Sequence, residues 1–302
     1  MNSHAEEVAQ GKRYEFGKNW QRFLRVVDDE RIEEAERSLK TMLRVETLEG
    51  ESFVDVGSGS GLFSLAAVRL GAARVHSFDY DPQSVACTRE LKRRYFPKAD
   101  RWSIDEASVL DTAYLNALGQ FDVVYSWGVL HHTGHMWQAL CNVGTLVNPG
   151  GCLFIAIYND QGKMSRMWTA VKIRYLRSLA WRLILAPLFF ATVVVHGLAL
   201  DLCSWTNPFA RYRQYRNRRG MSFVPDLFDW LGGYPFEYAT PDQIFDFYRE
   251  RHFTLATLKT CGGGRGNNQY VFVRATSLPD PLGHEERGWA SEEPVIASEP
   301  LR

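Results

Sequence analysis

The run Val54-Asp55-Val56-Gly57-Ser58-Gly59-Ser60-Gly61 constrains this chain more than any other feature. A short apolar strand carries an acid near its end, three glycines follow at alternate positions, and helical sequence begins near Leu62. Glycine in such a turn lets backbone N–H groups approach a ligand closely and permits a tight reversal. The helix that follows adds the positive end of its dipole. The spacing is GxGxG, which differs from the GxGxxG of dinucleotide dehydrogenases. Taken alone, the run is also compatible with a plain glycine-rich turn.

Short apolar segments alternate with helical ones around this loop. Residues 53–56, 75–78, 121–125 and 153–157 read as strands, being apolar and bounded by Gly, Pro or Asp. Residues 62–70, 82–95 and 136–147 read as helices, with Pro82 suited to a first turn. Asn148-Pro149-Gly150-Gly151 reads as a stop and turn. A helix starting at Thr240-Pro241-Asp242-Gln243 and strands at 253–258 and 269–274 resume the rhythm. The pattern predicts an α/β fold: a doubly wound, mostly parallel seven-stranded sheet with helices on both faces and a helical insertion after strand five. The zones are a helical lid (1–48), a Rossmann-like core (49–159), the insertion (160–238), the completion of the sheet (239–276) and a tail rich in Pro, Glu and Ser (277–302). That last composition predicts disorder.

The second strand ends on Asp79, 18 residues after Gly61, a separation that suits one helix and one strand. A carboxylate at that tip is placed to accept both hydroxyls of a ribose. Asp81, before Pro82, reads as the cap of the next helix. Together with Phe121-Asp122-Val123-Val124 and Asn148-Pro149-Gly150-Gly151, these residues resemble the class I S-adenosylmethionine-dependent methyltransferases, within them most the ubiquinone-biosynthesis-like group of small-molecule methylases. The resemblance covers about residues 50–158 and extends less fully over 240–275. It implies that Asp55 and the backbone of Gly57, Ser58, Gly59 and Gly61 contact the methionine end of the cofactor. It implies further that Asp79 binds the ribose, that Tyr80 packs by the adenine and that Ser126, Trp127 and Gly128 line the cofactor. Ser108 and Val109 fall where such enzymes hold the adenine edge; Ser108 stands where an acid is frequent, which leaves Glu106 or Asp105 open for that part.

Methyl transfer from a sulfonium is an in-line displacement with a good leaving group, so positioning supplies much of the rate. A base is needed only for a hydroxyl or a protonated amine. His131 and His132 follow strand four at the ligand-binding edge of the sheet and are the candidates; Asn159 and Asp160, past strand five, could orient an acceptor. A histidine that merely fixes its loop is the competing reading for each. Tyr14, Phe16, Trp20 and Phe23 suit an aromatic lid, although Trp20 and Phe23 at helical spacing also suit core packing.

Residues 183–200 carry no formal charge and are flanked by Arg174, Arg177 and Arg182 before and by Arg211, Arg213, Arg216, Arg218 and Arg219 after. Three readings compete: a buried cap over the acceptor pocket, an interfacial segment gripping lipid head groups, and a membrane span, which needs about 20 apolar residues. A single crossing would separate two parts of one catalytic domain. The arginines of 211–219, with Tyr212 and Tyr215 between them, suit phosphates or single-stranded RNA, or only a solvated face. Balanced charge, 35 basic against 35 acidic residues, argues against a nucleic-acid partner. Five scattered cysteines without a CxxC pair argue for free thiols and against a zinc site, and the polar N-terminus predicts no cleaved signal. The expected protein is a cytoplasmic S-adenosylmethionine-dependent methyltransferase without a metal, acting on an oxygen, less readily a nitrogen, of a small lipophilic or anionic acceptor, with peripheral membrane contact through 183–219 in view. A tRNA-base methyltransferase and a non-catalytic cofactor-binding scaffold are the alternatives. Finally, Arg265 and Asn267, in the glycine-rich loop between the last two strands, are candidates to touch the acceptor.

Overall fold

Seven apolar segments pair into one sheet. They are β1 (Ser52–Val56), β2 (Arg74–Asp79), β3 (Trp102–Glu106), β4 (Phe121–Trp127), β5 (Val147–Tyr158), β6 (Phe253–Lys259) and β7 (Asn267–Arg274), in the order β3-β2-β1-β4-β5-β7-β6. The computed structural model describes residues 3–98, 100–204, 207, 223–264 and 266–276. The arginines at 211–219, Arg265 and the 277–302 tail therefore lie outside the described residues. Strands β1 to β5 are parallel and β7 is antiparallel to both β5 and β6. The sheet is thus the mostly parallel, doubly wound one expected, closed by one antiparallel hairpin. The strand order reverses between β1 and β4, and ligands of such sheets bind outside the carboxyl ends of the strands at that switch.

One expectation is corrected along β5. Asn148-Pro149-Gly150-Gly151 does not end a helix in a free turn; it lies inside the strand. Val147 pairs with Phe121, the register then slips, and Cys152 pairs with Val123. The helix before it stops earlier than expected, at Thr145.

Helices cover both faces. Helix α3 (Asp29–Leu43), capped by the Asp28 side chain on the Arg31 N–H at 3.0 Å, buries Ile32, Ala35 and Leu39 in the same core cluster as α4 (Leu62–Arg69). It belongs to the sheet's covering layer, so the lid is confined to α1 (His4–Ala9), α2 (Gly17–Phe23) and the residues around them. The opposite core cluster joins β4 and β5 to α7 (Met136–Thr145) and to the helix Pro241–Arg249. Helix α5 (Pro82–Tyr95) starts on the Asp81 cap, whose Oδ1 accepts from the Gln83 N–H at 2.9 Å; α6 (Thr112–Leu118) follows β3.

After β5 the chain forms α8 (Lys163–Arg177), α9 (Leu179–Cys203) and α10 (Phe223–Gly232), then α11 (Pro241–Arg249) before the final hairpin. Tyr175, Leu176, Phe189 and Leu231 form a satellite core between α8, α9 and α10. The apolar run does not supply a buried cap. Most of α9 faces outward, with Leu183 at 69% and Val195 at 65% exposure. Helix α10 packs on α2, α8 and α9, and its Leu227 and Trp230 reach the site.

Candidate functional site

A cavity of about 580 Å³ lies over the carboxyl ends of β1, β2 and β4, a size usual for small-molecule sites. Its floor is the glycine loop. Gly57 holds φ +79° and Gly59 φ +55°, both in the left-handed region. A β-carbon on Gly57 would lie 2.4 Å from Val129 Cγ1, and one on Gly59 would lie 2.8 Å from the Trp20 ring. Gly57→Ala is therefore expected to cost about 1–2 kcal/mol from the backbone alone plus the displaced valine. A melting curve should drop by several degrees; an unchanged Tm would refute the close packing of this loop. Gly61 does not line the cavity. It turns the chain into α4 and packs on Thr88. Ser58 lines the cavity, while its Oγ shares a hydrogen bond with Thr88 Oγ1 at 3.0 Å.

Two buried carboxylates meet here. Asp55 is 2% exposed, and its Oδ2 accepts from Ser64 Oγ at 2.5 Å. Ser64 in turn accepts from Ser77 Oγ at 2.8 Å, which accepts from the Trp102 Nε1–H at 2.8 Å. Burial pushes the Asp55 carboxyl up to about 7, assisted by the neighbouring Asp79 charge and opposed by the Ser64 hydrogen bonds. Asp79 accepts from the Gly59 N–H through Oδ2 and from the Asp81 N–H through Oδ1, each at 2.9 Å. Burial pushes it up to about 6 despite those two bonds. Among the described residues neither carboxylate has a basic side chain within ion-pair distance. Both oxygens of Asp79 keep lone pairs for further donors. Ser84, fully buried in the first turn of α5, adds an Oγ with no hydrogen-bond partner at the cavity wall.

This donor and acceptor set fits the cofactor that the sequence implies. Asp55 would suit an ammonium, Asp79 a pair of ribose hydroxyls, and the free Oγ of Ser84 a further polar edge of a nucleoside. Tyr80 lines the cavity with the Arg13 guanidinium over its ring at 5.0 Å. Ser108 and Val109 line it as well, whereas Asp105 and Glu106 do not: Asp105 instead accepts from Tyr114 Oη at 3.2 Å. Trp127 and Gly128 face the cavity. Ser126 does not, because strand alternation turns it the other way and its Oγ donates to Val56 O at 3.0 Å.

The candidates for chemistry separate sharply. His131 is fully buried and does not line the cavity. Its Nδ1 accepts from the Tyr158 N–H at 3.3 Å, and its ring lies 4.0 Å from the Tyr158 ring. The expectation that it serves as a base is corrected to one of packing. His132, 7% exposed, does line the cavity. Its Nδ1 sits 2.6 Å from Pro235 O. A carbonyl only accepts, so Nδ1 carries the proton and Nε2 keeps its lone pair. Burial brings His132 down to about 3, the Lys172 and Arg13 charges acting the same way, so the ring is neutral. Asn159 is corrected too: it bridges strands, accepting from Asn268 Nδ2 at 3.0 Å and donating to Gly264 O, and does not reach the cavity. Asp160 likewise folds back onto the Gly162 N–H at 2.7 Å. Asn267, by contrast, lines the cavity with a buried Oδ1 that has no partner.

The lid closes one side. Phe16 and Trp20 line the cavity, Phe16 standing 4.9 Å from the His132 ring, while Phe23 is core and Tyr14 packs against Gly232. The Gly17 N–H donates to Asp81 Oδ2 at 2.7 Å, and Arg13 Nη1 donates to His132 O at 2.8 Å. Asp81 thus caps α5 and anchors the lid. Leu227 and Trp230 of α10 also line the cavity. Sequence reasoning missed His4, Arg13, Ser84, Leu227 and Trp230, all of which but Ser84 reach the site across a long chain separation. The Pro82 helix start is the one local signal that bears on any of them, since it sets Ser84 in a first turn.

Residues 54–153 match the family described as Methyltransferase domain. A ubiquinone biosynthesis O-methyltransferase of Methylocella silvestris is 35% identical over 112 residues, covering 37% of this chain and 41% of that one. A ribosomal protein L11 methyltransferase of Methylococcus capsulatus is 51% identical over 47 residues, 16% of each chain. The chain thus spans less than half the length of the curated relatives it matches. Among solved structures, PKMT2 from Rickettsia typhi in complex with AdoHcy has a TM-score of 0.51 at 14% identity, over 82% of this chain and 53% of that one. Magnesium protoporphyrin IX methyltransferase from Synechocystis PCC 6803 with bound SAH has a TM-score of 0.50 at 12% identity, over 85% and 94%. The likenesses in fold cover 82% and 85% of this chain, and the family match covers residues 54–153.

Proposed function

We propose that this chain, a class I S-adenosylmethionine-dependent methyltransferase by domain and fold, methylates an oxygen of a small acceptor that is lipophilic or anionic. One observation carries the reading: Asp55 and Asp79, two buried carboxylates with no basic side chain within ion-pair distance among the described residues, share a cavity with the glycine loop. S-adenosylmethionine supplies, when bound, a methyl group activated on a sulfonium. Asp55 would hold its ammonium, Asp79 its ribose, and Tyr80, Ser84, Ser108 and Val109 would surround the nucleoside.

The remaining lobe of the cavity belongs to the acceptor. Phe16, Trp20, Tyr158, Leu227 and Trp230 make it largely aromatic, and His132 and Asn267 add polar atoms. Among the described residues the acids on the cavity wall are Asp55, Asp79 and Asp81, all at the cofactor end or bound to the lid, so none of these gives an acceptor ammonium a counter-charge of its own. This favours oxygen over nitrogen. His132 Nε2 accepts a hydrogen bond from the acceptor hydroxyl and turns an oxygen lone pair towards the methyl group. His132 would take up the hydroxyl proton, and pass it to water, as the methyl group moves from sulfur to the acceptor oxygen, the C–S bond breaking as the C–O bond forms and the sulfonium leaving as a neutral thioether. A ring brought down to about 3 is a weak base, so orientation is its larger contribution.

His132→Ala is accordingly expected to lower kcat about tenfold, the size of one neutral hydrogen bond, with cofactor affinity retained. An equal loss in S-adenosylhomocysteine affinity would remove His132 from the acceptor side. The reaction itself is tested by incubating the protein with methyl-labelled S-adenosylmethionine and a metabolite extract. Protein-dependent label in an ether- or ester-forming product supports the reading, and label only in amines overturns the oxygen assignment.

A further inference from the structure

Basic charge is concentrated in one part of a neutral chain. Residues 161–225 hold eleven Lys and Arg and a single acid, Asp201, whereas the full chain balances at 35 and 35. In the described part of this segment, Lys163, Arg166, Arg174, Arg177 and Arg182 are exposed, all on α8 or the first turn of α9. Helix α9 itself is long and apolar enough to cross a membrane, yet little of it is buried.

Trp181, Ile184, Leu188, Val195 and Leu202 follow at spacings of three, four, seven and seven, and so share one face of the helix, which the exposed Leu183, Val194 and Leu198 widen on one side. The opposite face carries Ala186, Phe189 and Val193 into the satellite core with Trp168 and Trp230. The helix is therefore gripped along its middle by the body of the protein and cannot thread a bilayer end to end. A bare aliphatic stripe of this length, flanked by cations, is the arrangement of a segment that lies in a lipid interface. Nucleic acid would meet the arginines but gains nothing from exposed Leu, Ile and Val.

We propose that the α8–α9 insertion docks the protein in plane on an anionic lipid bilayer, the α9 stripe entering the acyl boundary and the surrounding arginines meeting the head groups. The docking stands apart from the methyl-transfer reading. Its bearing on the acceptor rests on that reading: α10 joins the stripe's supporting core to the cavity wall through Leu227 and Trp230, so an amphiphile at the surface lies beside the acceptor lobe.

The test is flotation of the full chain with phosphatidylcholine vesicles, with and without a phosphatidylglycerol fraction. The wild type is expected to float with the anionic vesicles at least about tenfold more than with the neutral ones. The triple variant Ile184→Glu/Leu188→Glu/Val195→Glu should lose binding while keeping S-adenosylhomocysteine affinity. Arg174→Glu/Arg177→Glu should weaken binding to the anionic vesicles selectively. Failure of the wild type to float, a concentration-dependent dimer abolished by the triple variant, or tRNA binding that displaces the vesicles would each overturn the docking. Resistance to alkaline extraction would overturn the in-plane geometry. Methyl transfer without flotation would leave the enzyme reading standing and sink this one.

Discussion

Asp79→Ala is expected to weaken S-adenosylhomocysteine binding by about 10²–10³-fold, measured by calorimetry against the wild type. The carboxylate would accept from both ribose hydroxyls while it also fixes the Gly59 and Asp81 N–H groups, and each charged hydrogen bond contributes about 1.5–3 kcal/mol. The pH dependence follows in sign. The ligand needs the ionised form, and the carboxyl titrates at about 6, so wild-type affinity should fall as pH is lowered through that value. In the alanine variant the fall near pH 6 should flatten. Absence of binding in the wild type would sink the cofactor assignment altogether, and full affinity in the variant would move the ribose elsewhere.

The second large effect has two opposite parts. Asp55→Asn should stabilise the empty protein above neutral pH and yet weaken its cofactor affinity. An aspartate raised from 3.8 to about 7 binds more protons folded than unfolded across that interval. Stability therefore falls as pH rises from about 4 to 7. The interval sets a ceiling of about 4 kcal/mol, at about 1.4 kcal/mol per pH unit. Asparagine does not titrate and can still accept from Ser64. Its melting temperature should match the wild type near pH 4 and exceed it by several degrees at pH 8. Binding should drop about tenfold or more, because an amide replaces the carboxylate facing the ammonium. A pH-independent difference in Tm would show that Asp55 is not the buried charge described.

What was legible in the sequence follows from local chemistry. The loop from Gly57 to Gly61, Asp79 at a strand tip and the cap at Asp81 depend on residues a few positions apart, and each lies where its neighbours put it. Facing was not legible. Buried parallel strands are apolar on both sides, so nothing in β4 told that Trp127 and not Ser126 meets the cavity. Nor did anything tell that the single turn after β4 would expose His132 and bury His131. The Pro-Gly-Gly run reads as a turn by local preference, but pairing with β4 held it as a bulged strand. The apolar length of α9 was plain, and its exposure was not, since that depends on how α8 and α10 pack against it. Arg13 and Ser84 reach the site through contacts that only the finished fold makes.

The lid's attachments carry a consequence for how the molecule is assembled. The Tyr14 N–H donates to Tyr234 O at 2.9 Å, and Arg13 holds the carbonyl of His132. The contact to Tyr234 thus forms only once that residue, far along the chain from Tyr14, has been made. Such contacts close long loops for a few hydrogen bonds and aromatic edges, so the segment from α1 to α2 joins late and is the first to let go. Its local opening, far easier than global unfolding, would leave the sheet intact while uncovering Asp79. Amides of residues 14–20 should then exchange with solvent much faster than those of β1, and a bound nucleoside should slow them by holding that segment in place.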